Sequence, residues 1–296
     1  MQKIKSGDKV AVIAPCGQIG DKNKIDSAVK YLKSLGLKPV FGKHLLKVRR
    51  YMAGTDLERA ADINTAFADP EIKAVFCVRA AAGGTRVLPY IDYELARANP
   101  KPLIGFCDNA AIQIALYQKS KLVSYNGFVM TYDFKNGDLD NLIKDNLKKL
   151  LNCELFEIKS GKTLQKGSTE GTLICSNLTV LTRMAGTPYF PDLKNKILLL
   201  EEVNEPVYKI DLMLQQLKQQ KNFDKLKGII FGQFTGVKAD KEDGTIKDCL
   251  KDFLQGTNLS AIYDFNFGHT PSRHVLPLGA KVSLNADKAT LKILKY

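Results

Sequence analysis

PLIGFCDNAAIQIALYQKS, residues 102–120, carries the chain from a strand into a helix with almost no connection between them. Pro102 to Phe106 is a short apolar run of the kind that forms a buried strand. Asp108 to Ser120 then places Ala111, Ile114, Ala115 and Leu116 at helical spacing. Cys107 stands at the hinge. A sharp turn of this type lifts the hinge side chain above the sheet edge, and the helix start presents N–H groups and a positive dipole end to developing negative charge. A nucleophile needs that geometry; a cysteine packed into a βα turn is the plain alternative.

Two later strand ends carry matching chemistry. KILLLEEVNEP (196–206) runs an apolar strand into Glu201 and Glu202, and FGHTPSRHVLPLGAKVSL (267–284) presents His269 in a Gly/Pro/Ser loop ahead of another apolar run. A thiol, a carboxylate and an imidazole in the order Cys107, Glu201, His269 fit a nucleophile, an orienting acid and a base. Of the other histidines, His44 follows Gly42-Lys43 in a basic loop and reads as solvated, and His274 follows Arg273 and reads as a surface residue. Glu201 and Glu202 do not read as a glycosidase pair, because adjacent strand residues face opposite ways; one is expected to face solvent or to cap the helix after Pro206. Ala82-Gly83-Gly84-Thr85 follows a strand, as a phosphate loop would, but has neither G-x-G-x-x-G nor the Lys-Ser/Thr of a P-loop, and reads as a turn or an oxyanion loop.

Strands and helices alternate along the first half: strands at 9–14, 38–41, 74–78, 102–106 and 122–125, with helices at 22–35 and 56–68. That alternation predicts a parallel sheet with helices on both faces. A charged helix over 140–151 leads into a polar, alternating stretch, 152–170, expected as hairpin strands or a boundary. A second unit is expected to hold strands at 171–175, 197–200, 227–232 and 275–278, and helices at 177–185, 207–219 and 246–255. The domain reading is therefore 1–150, a linker at 151–170, and 171–296.

Several ordered motifs resemble the LD-carboxypeptidase family of serine peptidases, whose members include muropeptide-recycling carboxypeptidases and microcin C immunity peptidases. KVAVIAPCG (9–17) resembles the family's opening strand and Ala-Pro-Ser turn, and VRAAAGGTRVLPYID (78–92) its Arg-Gly-Gly-Tyr-Gly segment. IGFCD (104–108) resembles Gly-Phe-Ser-Asp, SNLTVLTRMAGTPYFPD (176–192) the Asn-Leu…Gly-Thr-Pro segment, LLLEEVNEPVYKIDLMLQQL (198–217) the Leu-Glu-Asp helix entry, and GH…LPLG (268–279) the last motif. The resemblance implies a Rossmann-like N-terminal domain and a mixed α/β C-terminal domain, with the active site in the cleft between them. It implies a triad of Cys107, Glu201 and His269, with Cys107 where the family has serine. Asp108 and the 79–84 loop, including Ala81 and Ala82, would supply oxyanion donors. From charge and loop position alone, Arg79 or Arg86 is a candidate to meet the substrate carboxylate, with a structural salt bridge as the alternative. The implied reaction cleaves the bond between a diamino acid and a terminal D-Ala in a muropeptide tetrapeptide. A catalytically silent peptide binder and a microcin-type immunity peptidase are the alternatives. Family members often form homodimers; the residues neither support nor exclude one here.

This chain departs from the family pattern at the site. A thiol beside a neutral imidazole can ionise and attack, and a thiolate is the stronger nucleophile. Ala80-Ala81-Ala82 stands where the family has Gly-Gly-Tyr, and glycine there would allow positive φ. Asn126-Gly127-Phe128 replaces His-Gly-Pro, and Cys175-Ser176-Asn177 replaces Gly-Gly-Asn.

Composition bounds the rest. The 296 residues, 45% hydrophobic, suffice for one large core or two modest ones. No apolar run is long enough to span a membrane, and Met1-Gln2-Lys3-Ile4-Lys5 does not open a signal peptide, so a cytoplasmic protein without membrane contact is expected. The six cysteines have no C-x-x-C spacing, which fits reduced thiols rather than disulfides or zinc. No cofactor or metal is called for. The net charge of +13 is spread over KIKSGDK, KNK, KNGD and KDNLKK, with no dense block and no aromatic interleaving, which argues against nucleic-acid binding. A basic surface would attract an anionic peptide.

Overall fold

A computed structural model describes residues 2–134, 137–239, 242 and 244–296. The chain divides into two units: residues up to Glu154 with His274–Gly279, and Leu155–Arg273 with Ala280–Tyr296.

In the first unit, β1 (Lys9–Ile13), β2 (Lys38–Phe41), β3 (Ile72–Cys77), β4 (Leu103–Gly105) and β5 (Ser124–Asn126) are joined by a late strand, Leu276–Leu278, in the order late strand-β5-β4-β3-β1-β2. All pairs are parallel except β5 with the late strand, which is antiparallel. The inner strands read as unbroken apolar runs (VAVI, AVFC) because successive residues, and so both faces, are buried. At the edge, β2 is more exposed and carries Pro39, which discourages further pairing. The helices are α1 (Asp26–Ser34), α2 (Asp56–Ala68), α3 (Gly84–Val87), α4 (Tyr93–Ala98), α5 (Asn109–Ser120), α6 (Met130–Asp133) and α7 (Asn141–Leu151). The helix expected over 22–35 opens instead with a 3₁₀ turn, Lys22–Ile25, before α1. α2 starts on a capping box, in which the Thr55 hydroxyl accepts the Glu58 N–H at 3.1 Å and the Glu58 carboxylate accepts the Thr55 N–H at 2.8 Å.

The second unit is an eight-stranded sheet built from β6 (Glu157–Lys159), β7 (Lys162–Gln165), β8 (Ser168–Asn177), β9 (Lys196–Val203), β10 (Gly228–Thr235), β11 (Ser260–Tyr263), β13 (Lys281–Asn285) and β14 (Thr290–Lys295); the late strand Leu276–Leu278 is β12. The order is β6-β14-β13-β8-β9-β10-β11-β7. β8 to β11 are parallel and the flanking strands antiparallel. Its helices are α8 (Leu178–Arg183), α9 (Val207–Lys218) and α10 (Ile246–Leu254).

The stretch 152–170, read as hairpin strands or a boundary, supplies β6, β7 and the start of β8; rather than one hairpin, β6 and β7 form opposite edges of the sheet, where polar, half-exposed strands belong. The strand read at 275–278 as part of the second unit pairs with β5 in the first. Apolar periodicity announces a strand but not which sheet takes it.

Candidate active site

In the first unit the candidate residues sit on backbone held in unusual conformations. Cys107, half-buried between β4 and α5, has a φ of +57°, a left-handed conformation that costs a non-glycine residue on the order of 1 kcal/mol. Around this elbow three segments are fastened by side chains. The Asn109 side chain is fully buried: its Nδ2 donates to Phe106 O at 3.0 Å and to Arg79 O at 3.4 Å, and its Oδ1 faces the Cys16 thiol at 3.2 Å. The buried Asp108 carboxylate accepts the Gly84 N–H at 2.5 Å. Burial is the main force raising the Cys16 thiol well above its ordinary pKa, so it stays protonated.

The 79–84 loop lies over the Cys16-Gly17 turn. Gly17 N–H donates to Ala80 O at 2.7 Å, and a Cβ on Gly17 would fall 2.7 Å from the Ala81 Cβ. Ala81 has a φ of +67° and Gly83 a φ of +110°, so alanine occupies a left-handed position. Among the described residues, the N–H groups of Ala81 and Ala82 bond to no acceptor. Arg79 donates from Nη1 to Gln18 O at 2.6 Å, and Arg86 grips the Asp56 carboxylate through Nε at 3.0 Å and Nη2 at 2.7 Å. Arg79 thus holds main chain, and Arg86 forms a salt bridge to α2, the structural role that the sequence left open beside a substrate carboxylate.

In the second unit the organisation is electrostatic. Glu201 lies near the end of β9, paired with Asn177 of β8, and is fully buried. Its Oε2 lies 2.9 Å from His269 Nδ1. Burial pushes the Glu201 carboxyl above its usual range, and the His269 contact pulls it back. With Nδ1 turned to the carboxylate, Nε2 is the basic nitrogen of the ring. Gly268 has a φ of +142°, and a Cβ there would stand 3.2 Å from Glu201 Oε2, so glycine lets the loop bring His269 onto the carboxylate.

The remaining titratable candidates are structural. Glu202 is also buried, and its carboxylate accepts the Thr179 N–H at 2.6 Å and the Val203 N–H at 2.9 Å. It caps the start of α8, so neither glutamate faces solvent or caps the helix after Pro206. Instead of being solvated, His44 lies with Nδ1 2.9 Å from the buried Asp62 carboxylate. His274 is half-buried rather than a surface residue: Nδ1 meets Asn146 Oδ1 at 2.8 Å, and burial pulls its pKa down to about 4.

Thus Cys107, Asp108, Arg79, Ala81 and Ala82 come together in the first unit, and Glu201 and His269 in the second. The sequence reading missed Asn109, Arg59 and Asp56. Arg59 had a signal: it shares the stripe of Ile63 and Ala66 along α2, an arginine on an apolar face. Among the described residues no group of three or more His, Cys, Asp or Glu could hold a metal ion. No helix among them is long and apolar enough to cross a membrane.

A thiol at a strand-to-helix elbow of one α/β unit and a carboxylate-bound histidine in the other fit the LD-carboxypeptidase family of peptidases, and the chain belongs to that family. Residues 10–127 match its N-terminal domain and residues 170–284 its C-terminal domain. The chain is 33% identical to a probable murein peptide carboxypeptidase of Bacillus subtilis, over 98% of this chain and 92% of that protein. It is 26% identical to the microcin C7 self-immunity protein MccF of Escherichia coli, over 92% of this chain and 88% of the relative. The crystal structure of a muramoyltetrapeptide carboxypeptidase from Oxalobacter formigenes superposes with a TM-score of 0.90 at 28% identity, covering 97% of this chain and 99% of that one.

Proposed function

We propose that this chain is a cytoplasmic LD-carboxypeptidase that releases terminal D-alanine from muropeptide tetrapeptides, with Cys107 as nucleophile, His269 as base and Glu201 as the group orienting His269. The observation that carries the reading is the left-handed elbow of Cys107 beside two unbonded loop N–H groups. The names of the murein peptide relatives supply the substrate class.

In this reading His269 Nε2 takes the thiol proton, and the thiolate attacks the carbonyl between the diamino acid and D-Ala. The N–H groups of Ala81, Ala82 and Asp108 receive the oxyanion. His269 returns the proton to the amine of D-Ala as the C–N bond breaks, leaving a thioester. Water, deprotonated by His269, then hydrolyses the thioester and restores the thiol. The MccF relative favours a second reading, hydrolysis of an aminoacyl-nucleotide analogue.

Incubation with a muropeptide tetrapeptide, followed by mass spectrometry of alanine loss, tests the assignment. The parent is expected to release alanine and Cys107→Ala to lose roughly 10³-fold or more. Release by Cys107→Ser but not by the parent would make the cysteine a disabling substitution. Silence from all three would overturn the substrate, and an aminoacyl-sulfamoyl nucleotide would be assayed next.

A further inference from the structure

Arg59 is among the most deeply buried side chains of the first unit, at 1% exposure. Burying a guanidinium is costly unless hydrogen-bond acceptors surround it. Its acceptors come from three separate segments. Nη1 donates to Pro15 O at 2.6 Å and to Gly83 O at 2.8 Å, and Nη2 donates to the Asp56 carboxylate at 2.5 Å. Two of these are main-chain carbonyls on either side of the loop crossing, one in the Ala14-Pro15-Cys16 turn and one in the 79–84 loop. Asp56 also takes both donors of Arg86, two residues into α3, so the same carboxylate holds the far end of the loop. Gly83 itself is constrained twice: it has a φ of +110°, and a Cβ there would stand 3.1 Å from Arg59 Nη1. The Gly83 carbonyl is thus aimed inward at Arg59, two peptide units along from the unbonded Ala82 N–H.

We infer that Arg59 is a positioning residue, a buried strut that fixes the Gly83 peptide and thereby aims the Ala81 and Ala82 N–H groups. The catalytic part of this inference rests on the reading of those N–H groups as oxyanion donors; the anchoring part does not. Lysine cannot replace the strut, because a single ammonium lacks the planar fork that reaches two carbonyls and a carboxylate at once.

The test uses the full chain with Arg59→Lys and, as a milder variant that keeps the guanidinium, Asp56→Asn. Two quantities are measured: steady-state release of alanine from the tetrapeptide, and amide hydrogen exchange of the 79–84 segment against β10 as internal reference. In Arg59→Lys, kcat is expected to fall roughly 10²-fold with KM within about threefold, since misaimed donors act on the transition state. Exchange in 79–84 is expected to rise at least about tenfold while β10 is unchanged, and Asp56→Asn is expected to move both in the same direction by less. Unchanged exchange in 79–84 in both variants would overturn the anchoring, and faster exchange with unchanged kcat would overturn the catalytic aim. Should Arg59→Lys fail to fold, Asp56→Asn alone is read by the same criteria. If the parent shows no turnover of the tetrapeptide, the proposed function fails, and the exchange measurement still decides whether Arg59 anchors the loop.

Discussion

The candidate residues of the two units are held in place by different physics. Around Cys107 the first unit invests in backbone: left-handed conformations at Cys107 and Ala81, fastened by Asn109, Asp108 and Arg59. Around His269 the second unit invests in charge, a fully buried carboxylate whose ordinary ionisation is resisted by its surroundings. Strain is local and costs about the same at every pH. A buried charge has a cost that pH can switch. The two units should therefore respond differently to the same perturbations.

The largest contrast concerns Glu201→Gln. An amide keeps the shape but loses the charge that orients His269 and stabilises its protonated form, so turnover of the tetrapeptide should drop roughly 10³–10⁴-fold. The same change removes a carboxylate that is expensive to bury, so the variant should gain about 1–2 kcal/mol of stability at pH 8. Equal activity in parent and variant would remove Glu201 from the mechanism.

Acid distinguishes the two units next. Asp56, beside Arg86 and Arg59, has its pKa lowered, so its contribution is present above the unfolded value of about 3.9 and is lost as pH falls through the lower folded value. Glu201 has its pKa raised, so native structure is favoured below the unfolded value of about 4.3 and that advantage disappears as pH rises through the folded value. Denaturant unfolding should show Asp56→Asn least harmful at low pH and Glu201→Gln most stabilising at high pH. Parallel pH trends for the two variants would break the contrast.

The smallest effect sits at the loop. Ala81→Gly relieves a left-handed alanine and should stabilise by about 0.5–1 kcal/mol, whereas Ala82→Gly, with no positive φ to relieve, should destabilise by a similar amount. Thermal melts of the pair, read as a difference, check this.

Much of this organisation is legible in sequence, and the failures have physical causes. The strand-to-helix passage around Cys107 is written in apolar spacing, and β4 and α5 follow it within a residue or two. Positive φ at Cys107 and Ala81 is not readable, because local propensity opposes it and only tertiary bonds such as those of Asn109 enforce it. The burial of Glu202 is equally hidden: the strand pattern puts it opposite Glu201, but the α8 N-terminus that receives it comes from another segment. Arg59 was readable from its stripe, since an arginine on an apolar helix face needs acceptors inside.

The late strand Leu276–Leu278 has a consequence for the order of synthesis. A ribosome that has delivered residues 1–154 has supplied every strand of the first sheet except this one, and β5 still exposes the edge it will cover. The missing strand emerges only after Arg273, when nearly all of the second unit has been made. Until then the nascent first unit carries an open parallel edge next to β4 and its elbow, a surface that chaperones or another nascent chain could engage. The scaffold of Cys107 is thus completed only after most of the second unit has been made.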